Sequence, residues 1–239
     1  MPEENQVTSP QVPEPPWRSR SKRARRQVLD RDRIIDVALQ IIDSEGVDGL
    51  SMRRIAEELD TGPASLYAHV SGKDELLDLV FDRVVGEIEL PEPDPARWQE
   101  QLKAWAMEGR RVLKAHRDIA RVSLGRIPTG VNVLRASEWL LGLLRAAGLP
   151  QKVVAYAGDL GALLVGAYTY EESVEEVSAD PETYAMVADY MMNLPAEVFP
   201  NIVGMGSALY EGGPDERFEF LIDVFVAGLA AVAERDQTG

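Results

Sequence analysis

From Ile34 onward, apolar residues recur at intervals of three and four. Ile34, Ile35, Ala38, Ile41 and Ile42 predict a first helix that opens after Asp30 and closes at Glu45-Gly46, the glycine serving as its C-cap. A second helix starts at the N-cap Ser51, with Leu50 and Ile55 spaced as a hydrophobic staple and Ile55, Ala56 and Leu59 as its apolar face. Gly62-Pro63 begins a third, anchored by Leu66, because proline at the first helical position loses no hydrogen bond. Ser71 and Asp74, spaced S-x-x-D, are read as the cap of a fourth, which carries Leu76, Leu77, Val80, Val84 and Ile88 until the prolines of ELPEPDP stop it. Helical spacing then continues over 96–116, 118–124, 131–147, 152–176, 180–192 and 215–233, with an irregular Pro/Gly stretch at 193–206. No stretch alternates with period two, and no fixed-length or heptad repeat is present. The fold class is therefore all-α, with nine or ten helices.

Charge changes the picture more than composition does. The net charge is -15, yet Trp17 to Arg33 holds eight Arg/Lys against two Asp, whereas Phe81 to the C-terminus holds 14 basic and 25 acidic residues. A basic head on an acidic body suits a local nucleic-acid footprint. Residues 1–27, rich in Pro, Ser, Glu and then Arg, are expected to form a disordered basic arm. Residues 28–75 are expected to form a DNA-binding domain, and 76–239 a larger ligand-binding and dimerisation domain. The absence of cysteine excludes disulfides and thiolate chemistry. The N-terminus lacks a signal-peptide layout and no apolar run approaches the roughly 18 residues of a membrane span, so a cytoplasmic protein without membrane contact is expected. With two histidines and no phosphate loop, HExxH or nucleophile elbow, an enzyme is not expected.

Two short helices joined by a tight corner over a first helix form a helix-turn-helix, whose second member reads the major groove of double-stranded DNA. Ser65 and the backbone of Gly62 to Ala64 can approach the bases closely. Tyr67 and His69 can reach a phosphate or a thymine methyl, and Ser51, Arg53 and Arg54 can meet the backbone or a guanine. Lys73, at a helix N-terminus, is a candidate phosphate grip. The alternative for each is a tight corner in an ordinary helical protein. The stretch LSMRRIAEELDTGPASLYAHVSGKDELLDLV, residues 50–80, resembles the N-terminal domain of the TetR family of transcriptional repressors, above all in Leu66-Tyr67-x-His69-Val70 followed by Lys73 and Leu76-Leu77. The resemblance implies DNA contacts from Ser51, Arg53, Pro63, Ala64, Ser65, Tyr67, Ala68, His69 and Lys73. It also gives the arm a role, since Arg23, Arg25 and Arg26 can enter an adjacent narrow minor groove.

LKAHRDIARVSLGRIPTG, residues 113–130, resembles the drug-pocket segment of the tetracycline-repressor branch of that family, and VGAYTYEES also looks like its counterpart there. That branch places a histidine directly before LG to hold the drug's magnesium; here the position is Ser123, a poor substitute for a hard cation, so no metal and no cofactor are expected. The candidate lining of an apolar pocket is Trp105, Leu113, His116, Ser123, Leu124, Arg126, Ile127, Trp139, Leu143, Leu160, Leu164, Tyr168 and Glu171, suited to a small hydrophobic effector such as a planar natural product. Individually each aromatic reads equally as core. Twenty Arg against five Lys suggest a bacterial genome of high GC content. Gly158, Gly161 and Gly166 leave one stripe of the long helix bare and, with Phe218, Ile222 and Phe225, are candidates for a homodimer interface; packing within the chain is the other reading. A dimer would present two recognition helices to a palindromic operator. A regulator without a ligand, whose acidic body binds a protein, is the alternative function.

Overall fold

The computed structural model describes residues 29–127, 129–178 and 181–238, which form eleven α-helices and no strand. The arm with Arg23, Arg25 and Arg26 lies outside the described residues. α1 (Arg31–Glu45) is capped by Asp30, whose carboxylate accepts the Arg33 N–H at 2.8 Å. It ends at Gly46, where φ is 82° and a Cβ would sit 2.6 Å from Asp118 Oδ2, so both conformation and space require glycine. α2 (Met52–Glu58) starts at Ser51, whose hydroxyl accepts the Arg54 N–H at 3.1 Å, and buries Ile55 and Ala56.

Two local expectations change. α3 (Pro63–Leu66) is a single turn, and Tyr67 to His69 continue as a turn closed by bonds from the His69 and Val70 N–H groups to the Leu66 carbonyl. Such a short element cannot hold itself by propensity; burial of Leu66 and Val70 fixes it. α4 (Lys73–Val85) is not capped by the Ser71 hydroxyl or Asp74. Its N-cap is Gly72, and the Ser71 N–H donates to Glu75 Oε2 at 2.6 Å, a carboxylate that Arg31 also pairs with.

The body consists of α5 (Trp98–Ala115), α6 (Ile119–Ser123), α7 (Val131–Ala146), α8 (Gln151–Ser178), α9 (Pro181–Met192), α10 (Pro200–Met205) and α11 (Pro214–Thr238). α10 and a 3-10 turn at Gly206–Leu209 lie in and beyond the stretch expected to be irregular. α8 is the central post, packed against α5, α6, α7 and α11, while α9 and α10 pack on each other. One apolar stretch does reach spanning length: Gln151–Val174 of α8 has a mean hydropathy of 1.2, with 39% of its most apolar window buried. α4 touches α1 on one side and α5, α6 and α7 on the other, so it is common to the head and the body. Its Arg83 pairs with Asp32 and Asp36 of α1, both at 2.8 Å, and its Asp82 carboxylate accepts the Asn132 and Val133 N–H groups that open α7.

Candidate nucleic-acid face and ligand cavity

On the head, Ser51, Arg53, Pro63, Ala64, Ser65, Tyr67 and Ala68 are exposed, Tyr67 at 55%. Exposure of a large aromatic just past a one-turn helix, with Leu66 beside it fully buried, is the pattern of an element held from behind and offered in front. His69 is half-buried beside them. Arg53 is free of strong ties, with Glu57 at 3.4 Å its ion-pair partner on the same helix. Arg54 is differently placed: its guanidinium is taken by Glu45 at 2.8 Å and Glu58 at 2.9 Å, hydrogen bonds that raise its pKa above the ordinary arginine value. Lys73 is half-buried and donates to the Val47 carbonyl at 3.0 Å, so its ammonium ties α4 to the turn after α1. An ammonium has two further protons to offer a phosphate from there.

The segment His116-Arg117-Asp118 faces the head instead of a ligand. Asp118, in the left-handed region at φ 58°, accepts the Val47 N–H at 3.0 Å, and Arg117 donates to the Ser44 carbonyl at 3.3 Å. His116 Nδ1 lies 3.1 Å from Asp43 of α1, and Nε2 lies 3.2 Å from Glu87, just beyond α4. Burial disfavours the charged imidazole, but the hydrogen bonds to Glu87 and Asp43 outweigh it and raise the pKa. Both ring nitrogens face carboxylates, which only the imidazolium can satisfy with a proton on each. His116 is thus a tie between head and body.

Below this junction, α4, α5, α6, α7 and α8 enclose a largely apolar cavity of about 580 Å³. Trp105, Leu113, Ser123, Leu124, Arg126 and Ile127 line it, as expected from their place in sequence. Seven expected liners do not. His116 is at the junction. Trp139 turns its indole N–H to the Pro91 carbonyl at 2.6 Å, and Leu143 is fully buried in the core. Tyr168 packs on Phe218 with ring centroids 5.0 Å apart and donates to the Pro214 carbonyl. Leu160 and Glu171 are exposed and Leu164 is half-buried, because α8 shows the cavity a different face, through Ala155, Gly158, Asp159 and Ala162. Phe81 and Val85 of α4, with Val133 and Leu140 of α7, are walls that sequence reading missed. Their apolar periodicity was visible, but it could not say which apolar residue would face a void.

The six residues expected at a dimer interface turn inward. A Cβ on Gly158 would meet Leu141 of α7, one on Gly161 would meet Trp105 and Phe225, and one on Gly166 would lie 2.6 Å from Ser123 Oγ. Phe218 and Ile222 are buried and Phe225 is half-buried against the core. The bare stripe therefore admits α5, α6, α7 and α11 of the same chain. What α8 and α11 leave outside is a separate set of apolar side chains, Tyr156 and Leu160 on one and Phe220 and Val224 on the other.

The chain's similarities agree with this architecture. Residues 34–80 match the family of bacterial regulatory proteins described as the tetR family, and residues 90–233 match the tetracyclin repressor-like C-terminal domain. The chain belongs to the TetR family. An HTH-type transcriptional regulator of Saccharopolyspora erythraea is 34% identical over 95% of either chain. The tetracycline repressor protein class C of Escherichia coli is 27% identical over 84% of this chain and 90% of its own. Apo ActR of Streptomyces coelicolor superposes with a TM-score of 0.81 at 45% identity, over 87% of this chain and 98% of its own, and ActR has also been solved with actinorhodin and with (S)-DNPA. As a TetR-family protein, this chain is a DNA-binding transcriptional regulator.

The magnesium chemistry of the tetracycline branch does not fit here. Ser123, which stands where that branch has a histidine, donates its hydroxyl to the Ala120 carbonyl at 2.7 Å.

Proposed function

We propose that the protein is a cytoplasmic, ligand-responsive repressor that binds a palindromic operator as a homodimer and is released by a small hydrophobic effector. The observation that carries this reading is the wall of the cavity: Phe81 and Val85 of α4 face the same space as α5, α7 and α8. A body that fills this space presses on the helix that carries the head, so operator and effector each weaken the other by the same factor. The complexes of ActR with actinorhodin and (S)-DNPA support an effector of related kind, a planar natural product, filling an apolar space of this size. In the dimer, the exposed stripe of α8 and α11 meets its symmetry mate. Gel-shift titration of the full chain on DNA upstream of its own and neighbouring genes, with and without actinorhodin, tests the proposal. A retarded band that actinorhodin dissolves is the expected result. Sequence-specific DNA binding unaffected by actinorhodin or by a panel of planar hydrophobic natural products sinks the ligand-responsive part.

A further inference from the structure

We infer that Asp118, a residue of the body, is a positioning residue for DNA binding: it fixes the turn from which Lys73 is presented to a phosphate. The inference rests on Lys73 meeting the DNA backbone and adds to that contact a residue outside the head. The Asp118 carboxylate accepts the Val47 N–H at 3.0 Å, and the Val47 carbonyl accepts from Lys73 Nζ at 3.0 Å. Val47 opens the 3-10 turn Val47–Gly49, so one short turn is held by the body on one side and holds the lysine on the other.

The needs of its own helix do not explain how Asp118 is placed. It stands at the N-cap of α6, where an aspartate ordinarily accepts an N–H of the first turn, yet it makes no such bond. Its backbone lies in the left-handed region at φ 58°, a strained conformation for a residue other than glycine, and its carboxylate goes to the head instead. The fit is close: a Cβ on Gly46 would come within 2.6 Å of Asp118 Oδ2. On either side His116 meets Asp43, Arg117 reaches the Ser44 carbonyl and Arg121 pairs with Asp48 at 3.1 Å, so residues 116–121 clasp residues 43–48 along their length.

Lys73 is the cation of the head best suited to use such a support. Arg31, Arg53 and Arg54 each face a carboxylate, whereas Lys73 has no ion pair among the described residues and rests on a neutral carbonyl. Its charge stays unmatched while its long stem is ordered before DNA arrives, which lowers the entropy lost on contact. Loss of the bond from Asp118 loosens the turn and, with it, the lysine.

The test measures binding of the full chain to an upstream duplex that it retards in gel shift, by fluorescence anisotropy over a series of salt concentrations, with thermal melts alongside. Asp118→Gly keeps the left-handed backbone and removes the acceptor. Val47→Pro removes the same bond from the donor side, at the first position of a 3-10 turn, where proline is accommodated. Each is expected to bind about tenfold or more weakly, and to flatten the salt slope by about one contact per half-site, as Lys73→Met does. Asp118→Gly combined with Lys73→Met is expected to bind no more weakly than Lys73→Met alone. Asp118→Asn, whose amide oxygen still accepts and whose backbone tolerates the left-handed region, keeps both affinity and slope. Weaker binding at an unchanged slope, or an effect that adds to that of Lys73→Met, overturns the inference, because Asp118 then only braces the head. So does binding by Asp118→Gly equal to wild type. If Lys73→Met itself leaves affinity and slope unchanged, the inference falls together with the phosphate contact beneath it.

Discussion

Arg53 and Arg54 are adjacent in the chain and have different work. Arg53 is exposed and weakly tied, while Arg54 bridges α1 and α2 through Glu45 and Glu58. Arg53→Ala is expected to lower operator affinity by about 1–3 kcal/mol with an unchanged melting temperature. Arg54→Ala is expected to act through the head's stability, with DNA affinity following it; paired gel-shift and thermal-melt measurements separate the two. Glu58 was legible as a partner from its i+4 spacing, but Glu45 was not, because it comes from another helix. His116 carries the pH dependence of the junction. Its folded pKa is raised by Glu87 and Asp43 against burial, with the Arg117 charge of its own segment nearby. Its stabilisation is therefore fully present below the unfolded imidazole pKa of about 6.5 and is lost as pH rises through the folded value. Thermal melts across pH 5.5 to 8.5 should show wild type and His116→Gln converging as pH rises. A constant gap between them would count against the imidazolium tie.

At the scale of elements, α8 was the most instructive. Its glycines and alanines marked close approach by another helix, and close approach is what they provide, but to α5, α6, α7 and α11 of the same chain. A stripe of small residues specifies distance and not identity, so periodicity alone leaves the partner open. The buried group on this helix was missed for a related reason. Glu172, not Glu171, turns inward to Arg110, whose guanidinium donates at 2.8 and 3.0 Å, and to Lys114 at 2.5 Å; Arg110 also reaches Asp215 of α11. Burial opposes its charge, but these hydrogen bonds hold the Glu172 carboxyl below the usual carboxylate range. Arg110→Ala leaves Glu172 with Lys114 alone and should cost about 3–5 kcal/mol in urea denaturation, as for a buried pair losing one member. Glu171 and Glu172 are neighbours in sequence, and only the rotation of the helix distinguishes them.

For the molecule as a whole, the exposed stripe of α8 and α11 makes the dimer testable. Leu160→Glu places a charge at 45% exposure, tolerable to a monomer and repelled in a symmetric interface. Sedimentation should find a monomer with native helicity and little operator binding; a dimer would show that the stripe is not the contact. Removal of residues 1–26 should weaken operator binding and flatten its dependence on salt, because fewer phosphate contacts release fewer counterions. An unchanged slope would show that the arm stays off the DNA. Sequence by itself determined the all-α class, the helix starts at Asp30, Ser51 and Pro63, and the family, because caps, prolines and apolar spacing are local and survive any packing. Only the tertiary structure decided that His116 serves the junction, that the glycine stripe faces inward, and that α4 supplies a wall of the cavity. Those outcomes depend on which of several similar apolar or charged surfaces meet, and that is fixed by the mutual rotation of helices distant in sequence.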